Sequence, residues 1–195
     1  MKHASTRELH AYWTARRGTR PAPERNDIEP GAIRRVLADT FMLNFDIVGG
    51  HPFRIAGTRV CAAFGRELKG AAFVDIWAAD SRELVRDILS IVATESIGVV
   101  AGVSGESRAG AALGLELLAL PLAHRGGTGT RILGALVPTE LPHWLGIDTL
   151  RPLTLGTIRY LGPQTGPLAP ARAGRGRTAD ARARHGLLVY DGGQA

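Results

Sequence analysis

Residues 53–70, FRIAGTRVCAAFGRELKG, hold the decisive transition in this 195-residue chain. Phe53 to Ala56 reads as a short apolar strand that runs into Gly57. Thr58 to Phe64 then has the composition of a short helix, and Gly65 supplies the left-handed residue that ends one. A strand that breaks directly into a helix turns Val60, Cys61 and Phe64 back toward its own sheet. The flanks say which sheet that is.

Upstream, FMLNFDIV (41–48) alternates, with Phe41, Leu43, Phe45 and Ile47 opposite Asn44 and Asp46. That period predicts a strand with one wet face, and GGHP turns it into residues 53–56 as a hairpin. Downstream, Asp80 and Glu83 have capping-box spacing and open a longer helix with a wide apolar face from Leu84 to Val92. Three apolar segments follow, GVVAGVSGE, ALGLELLALPLA and TRILGALVP, separated by SRAG and HRGGTG. Such spacing predicts an antiparallel meander. The fold class is therefore α+β, with one five-stranded antiparallel sheet whose first two strands are separated from the last three by helices.

Near the start, Ser5 and Glu8 form another capping-box pair. Leu9, Tyr12, Trp13 and Arg16 share one helical face, and Gly18 stops the helix. Pro30 opens a short second helix carrying Ile33, Val36 and Leu37. In LELLALPLA both faces are apolar, since Leu113, Leu115 and Leu117 oppose Leu118, Leu120 and Leu122. A sheet with one solvated side alternates cleanly, so a further layer covers the outer face. The N-terminal helix is the nearest cover and a second copy of the chain the next.

This layout resembles a PAS domain, and the wording resembles a family of small stand-alone PAS-like proteins found mostly in alphaproteobacteria. The matching pieces are YW…RRG at Tyr12–Gly18, DIEP at Asp27, the 53–70 stretch, FVDIW at Phe73–Trp77 and LELLALPL at Leu115. They cover residues 9 to 138. The resemblance implies sensory or regulatory work and a ligand cavity, where one exists, between the sheet and its short helices. Arg54, Arg59 and Arg66 would flank its mouth, either recognising an anion or pairing with Asp46 and Glu67. Cys61, Phe64 and Trp77 would line it, or simply pack as core. Glu116, a carboxylate sharing a face with Leu118 and Leu120, needs a partner. Arg131 on the next strand is the first choice and a polar ligand the second.

Catalytic signatures are weak. GGTGT at Gly126 lies between strands with no helix N-terminus after it, so it is not a phosphate cradle. GVSGE has Glu106 where a nucleophile elbow needs glycine. The histidines, at 3, 10, 51, 124, 143 and 185, show no ligand spacing on one element. Within the resemblance, haem is disfavoured because the helix after Trp77 has no histidine. A flavin photosensor is disfavoured because Cys61 sits in RVCAA and not in an NCR-type motif. No cofactor is expected, though an unidentified small ligand is.

Charge separates a tail. Of the net +6, five arginines (Arg172, Arg175, Arg177, Arg182, Arg184) against two aspartates leave +3 in the last 33 residues. That segment has too few large apolar residues to fold alone, so the chain divides into an N-terminal helical extension (1–38), the domain (39–162) and a basic, disordered tail (163–195). One cysteine, no signal-peptide pattern and no long apolar run imply a cytoplasmic protein that meets no membrane. The expectation is a non-enzymatic regulator. No output domain fits the remaining length, so its signal passes to a separate protein or through a homodimer built on Leu9, Tyr12 and Trp13. The alternative is a nucleic-acid or polyanion binder acting through the tail arginines.

Overall fold

The computed structural model describes residues 1–123, 131–162, 182–184 and 187–189, the last two as backbone only. Helix α1 (Ala4–Arg17) is followed by three 3-10 turns at Arg25–Asp27, Pro30–Ile33 and Leu37–Asp39. Strand β1 (Thr40–Asn44), strand β2 (Phe53–Ala56) and helix α2 (Thr58–Phe64) come next. A 3-10 turn at Phe73–Ile76 leads into helix α3 (Ala79–Glu95). The meander is β3 (Gly98–Glu106), β4 (Ala112–Leu122) and β5 (Arg131–Pro138), and β6 (Thr154–Leu161) closes the series. All six strands form one sheet in the order β2-β1-β5-β4-β3-β6, antiparallel throughout.

The five expected strands are present, with a sixth added beyond β3. In its pattern, TLGTIRYL, Leu155, Ile158 and Tyr160 pack on the inner core and Leu161 on the outer one, and a register shift interrupts the pairing between Ala101 and Val103. Strict alternation is therefore lost from the sequence.

The decisive stretch folds as its glycines require. A Cβ on Gly57 would collide with the carbonyl oxygens of Leu37 and Ala38, so only glycine lets α2 start against that turn. Gly65 has φ 63°, in the left-handed region, and its N–H closes α2 onto Cys61 and Ala62.

Two cores result. On the inner face α2 and α3 cover Phe41, Phe53, Phe73 and Trp77, whose rings meet in sequence at 5.2–5.8 Å. On the outer face Leu118, Leu120, Leu122, Leu133 and Val137 are covered by Leu9 and Trp13 of α1 and by Ile28, Ile33 and Val36 of the following turns. The chain thus supplies its own outer layer. Trp13 is 3% exposed and its indole N–H donates to the Pro121 carbonyl at 2.8 Å.

Several local expectations are corrected. Helix α1 is capped by His3, whose Nδ1 accepts from the Ser5 amide, and not by Ser5 itself. Helix α3 starts at Ala79 with Ala78 as its uncapped first flank, so Asp80 lies inside the first turn and forms no capping box with Glu83. Ser81 accepts from the Leu155 amide at 3.0 Å, tying the helix to β6. The helix expected after Pro30 is a single 3-10 turn. Strand β1 ends at Asn44 and has no wet face, because Met42 lies under the N-terminal turns at 5% exposure. In the tail, Arg182–Arg184 (β7) pairs antiparallel with Leu187–Val189 (β8). Arg172, Arg175 and Arg177 and the GGTGT loop at Gly126 lie outside the described residues.

Candidate functional site

The residues expected to line one cavity are distributed over three places. Arg59, Cys61 and Phe64 stand on α2, Trp77 is inside the inner core, and Arg54 and Glu116 belong to the outer face. Trp77 is fully buried among aromatic rings, its indole Nε1 without a partner among the described residues. It packs as core.

Arg59 does not pair with Asp46 or Glu67. It reaches Oδ2 of Asp39 at 2.5 Å, a carboxylate only 2% exposed, and so locks α2 to the turn before β1. Losing one partner of such a pair leaves a buried charge, which is costly. Cys61 is half-buried and packs against the inner core, with Sγ 3.9 Å from the Ala56 carbonyl and 3.7 Å from Oε1 of Glu67. Burial and the nearby Glu67 charge push its thiol above the ordinary value, so it is no activated nucleophile.

The mouth beside α2 is closed by a segment that the sequence left unassigned. Residues 139–153 return across the helical side: the Leu150 amide donates to the Ala63 carbonyl and the Ala78 amide to the Leu153 carbonyl, each at 2.8 Å. Trp144 and Leu145 pack on the inner core, and Leu150 and Leu153 are buried in it. A tryptophan and three leucines within ten residues were the available signal.

Glu116 is the buried carboxylate that sequence singled out, but Arg131 is not its partner. Arg131 sits opposite Leu122 and Asn44, at the far end of the strands, whereas Glu116 faces Val137 and Gly102. Glu116 instead accepts from the amides of Lys2 at 2.6 Å and His3 at 3.1 Å and from the Thr6 hydroxyl. Burial raises its pKa. The three donors and the neighbouring positive charge outweigh that, leaving the carboxyl below its ordinary value. Glu116 therefore fastens the start of α1 to β4. Beside it opens a cleft of about 470 Å³ with Val100, Gly102 and Thr157 along β3 and β6, Lys2 on one wall and Arg159 on another.

A second, smaller groove of about 140 Å³ lies on the same face, at the β1–β2 edge. Met42, Ile55 and Leu133 form its floor and Ile28, Ile33 and Leu37 its wall, with Arg25 at one end. Arg131 stands two positions before Leu133 on β5, and Arg54 immediately precedes Ile55. Burial lowers the Arg131 pKa, and the like charges of Arg54 and Arg25 lower it further. Sequence placed Arg54 at the mouth of an inner cavity; it lies instead at the register shift between β1 and β2, close enough to Arg131 for its charge to act there.

His51 was not singled out by sequence. It is fully buried at φ 59°, its ring stacks on Phe45 at 5.1 Å, and Nδ1 accepts from the Asp46 amide at 3.2 Å. Its Nε2 has no partner among the described residues. Among these residues no three His, Cys, Asp or Glu side chains gather as a metal site. No described helix is long and apolar enough to cross a membrane.

In comparison with protein families, the PAS domain family model matches residues 1–137. No curated protein matches the chain.

Proposed function

The chain belongs to the PAS domain family, and from that premise we propose that it is a cytoplasmic, non-enzymatic regulatory protein. It acts through contacts with other proteins, and a small ligand tunes those contacts. The observation that carries the reading is the family match taken together with the Glu116 anchor. The family match extends to residue 1, so the N-terminal helix belongs to the module, and the start of that helix is held by a carboxylate bordering a cleft of about 470 Å³. A polar ligand entering there would compete with the Lys2 and His3 amides for Glu116 and loosen α1 from the sheet.

Other features support the same reading. PAS domains are typically sensory modules without catalysis. The half-buried Cys61 with its raised thiol, the ion-paired Arg59 and the core-packed Trp77 assemble no nucleophile with a base. Within one chain Leu9 and Trp13 are already buried against the sheet. Tyr12 is also engaged, its hydroxyl accepting from the Glu29 amide at 2.8 Å. Self-association, as a second route for the signal, would use other surface.

Native mass spectrometry of the protein purified from its own source tests the proposal. The expected spectrum contains the chain with a retained small molecule or a bound second protein. A bare monomer under every gentle condition, or a preparation that turns over substrate, would contradict it.

A further inference from the structure

The 140 Å³ groove joins two properties rarely left exposed together. Its rim holds large apolar side chains in water, with Leu37 36% and Ile55 50% exposed. Beside it stand Arg25, Arg54 and Arg131, from a 3-10 turn and two different strands. None of the three makes an ion pair among the described residues. Three carboxylates of the neighbouring turns pair with other arginines, Asp27 with Arg20, Glu29 with Arg16 and Asp39 with Arg59. Three like charges held beside an apolar slot repel one another, and carboxylates in fork geometry would relieve that repulsion.

We infer that this groove docks an acidic segment of a partner protein, one large apolar side chain entering the slot while flanking carboxylates meet the arginines. The inference rests on the regulatory reading above and names the chemistry of its partner. The slot's size decides the anchor: a cavity of about 150 Å³ accommodates a benzene-sized group, so one Leu, Ile or Phe side chain fills it. Arginines around a small apolar pocket match the anatomy of an interface hot spot. Charge decides against two other occupants. The chain's own tail carries five arginines against two aspartates, and a second copy carries +6; both would be repelled. The partner binds through side chains rather than by extending the sheet at Phe53, because Phe53 N–H and C=O on the open edge of β2 already bond Ala71 and Gly70 at 2.9 and 2.7 Å.

The test is selection of random displayed peptides on the full chain, followed by affinity measurement of the enriched sequence. Enrichment of Asp and Glu around a single Leu, Ile or Phe is expected. Arg54→Glu and Ile55→Glu, both at exposed positions, should each weaken that peptide by about tenfold or more. Arg66→Glu, at an exposed position just past α2, should leave it unchanged. Circular dichroism of each variant verifies folding. Enrichment of neutral or basic peptides, no enrichment, or binding insensitive to Arg54→Glu and Ile55→Glu would overturn the assignment. So would light scattering in which Arg54→Glu converts a dimer to a monomer, since the groove would then hold a second copy. A partner complex seen by native mass spectrometry but indifferent to Arg54→Glu would overturn the groove alone and leave the regulatory reading standing.

Discussion

Glu116 collects three donors where an apolar strand meets the start of a helix, and that arithmetic sets what its loss costs. Glu116→Ala leaves the Lys2 and His3 amides and the Thr6 hydroxyl without their acceptor. Only the Thr6 hydroxyl among them is buried, the Lys2 and His3 amides being partly reached by water. One buried donor left unsatisfied costs about 1–3 kcal/mol, a drop that urea unfolding would read directly. An unchanged midpoint would mean that α1 is held by its apolar contacts alone. His51 gives a pH signature instead. Its burial lowers its pKa below the ordinary 6.5, an effect Asp46 opposes and Arg86 supports; His10 is also lowered, by burial and Arg17. The unfolded chain therefore takes up the proton first. Stability is full above pH 6.5 and falls as the pH drops below it. Asparagine tolerates the left-handed backbone at this position, so His51→Asn should flatten the loss below pH 6.5 without abolishing it, His10 remaining. Parallel pH profiles for the two proteins would contradict this.

At the scale of elements, α1 works as a cover. Removing residues 1–18 exposes Leu118, Leu120, Leu122 and Val137, a patch large enough to drive association. The truncated chain should bind a hydrophobic dye and show a higher mass by light scattering than the full chain. A dye-silent monomer would show that the outer face does not need its helix. This cover was legible in sequence, because both faces of LELLALPLA are apolar and Leu9 and Trp13 are spaced to share one helical face. The break from β2 to α2 was equally legible through Gly57 and Gly65. Strand β6 was not, since a register shift spoils its alternation and half its residues face water. Capping boxes misled at both helices: at α1 the Glu116 anchor fixes the chain before Ser5, and α3 starts at Ala79, one residue ahead of Asp80. The partner of Glu116 was hidden for a related reason. Two of its three donors are backbone amides more than a hundred positions away, which no side-chain pattern announces.

For the whole molecule, the rival account places function in the tail, as a polyanion contact through Arg172 to Arg184. Counterion release makes such binding steeply salt-dependent. Removing residues 163–195 should leave the regulatory contacts intact and change nucleic-acid affinity little. A steep salt slope between about 50 and 200 mM that vanishes with the tail would favour the rival instead. The two accounts part on where the structure is held together: a domain clasped on both faces by its own chain, or a scaffold for a basic arm. Hydrogen exchange of the full chain, read by mass spectrometry at two protein concentrations, tests that clasp most directly. The prediction is that α1 amides from Glu8 to Arg17 exchange as slowly as those of β4, regardless of concentration. Exchange of α1 at the rate of a frayed terminus, or protection that appears only at high concentration, would contradict it.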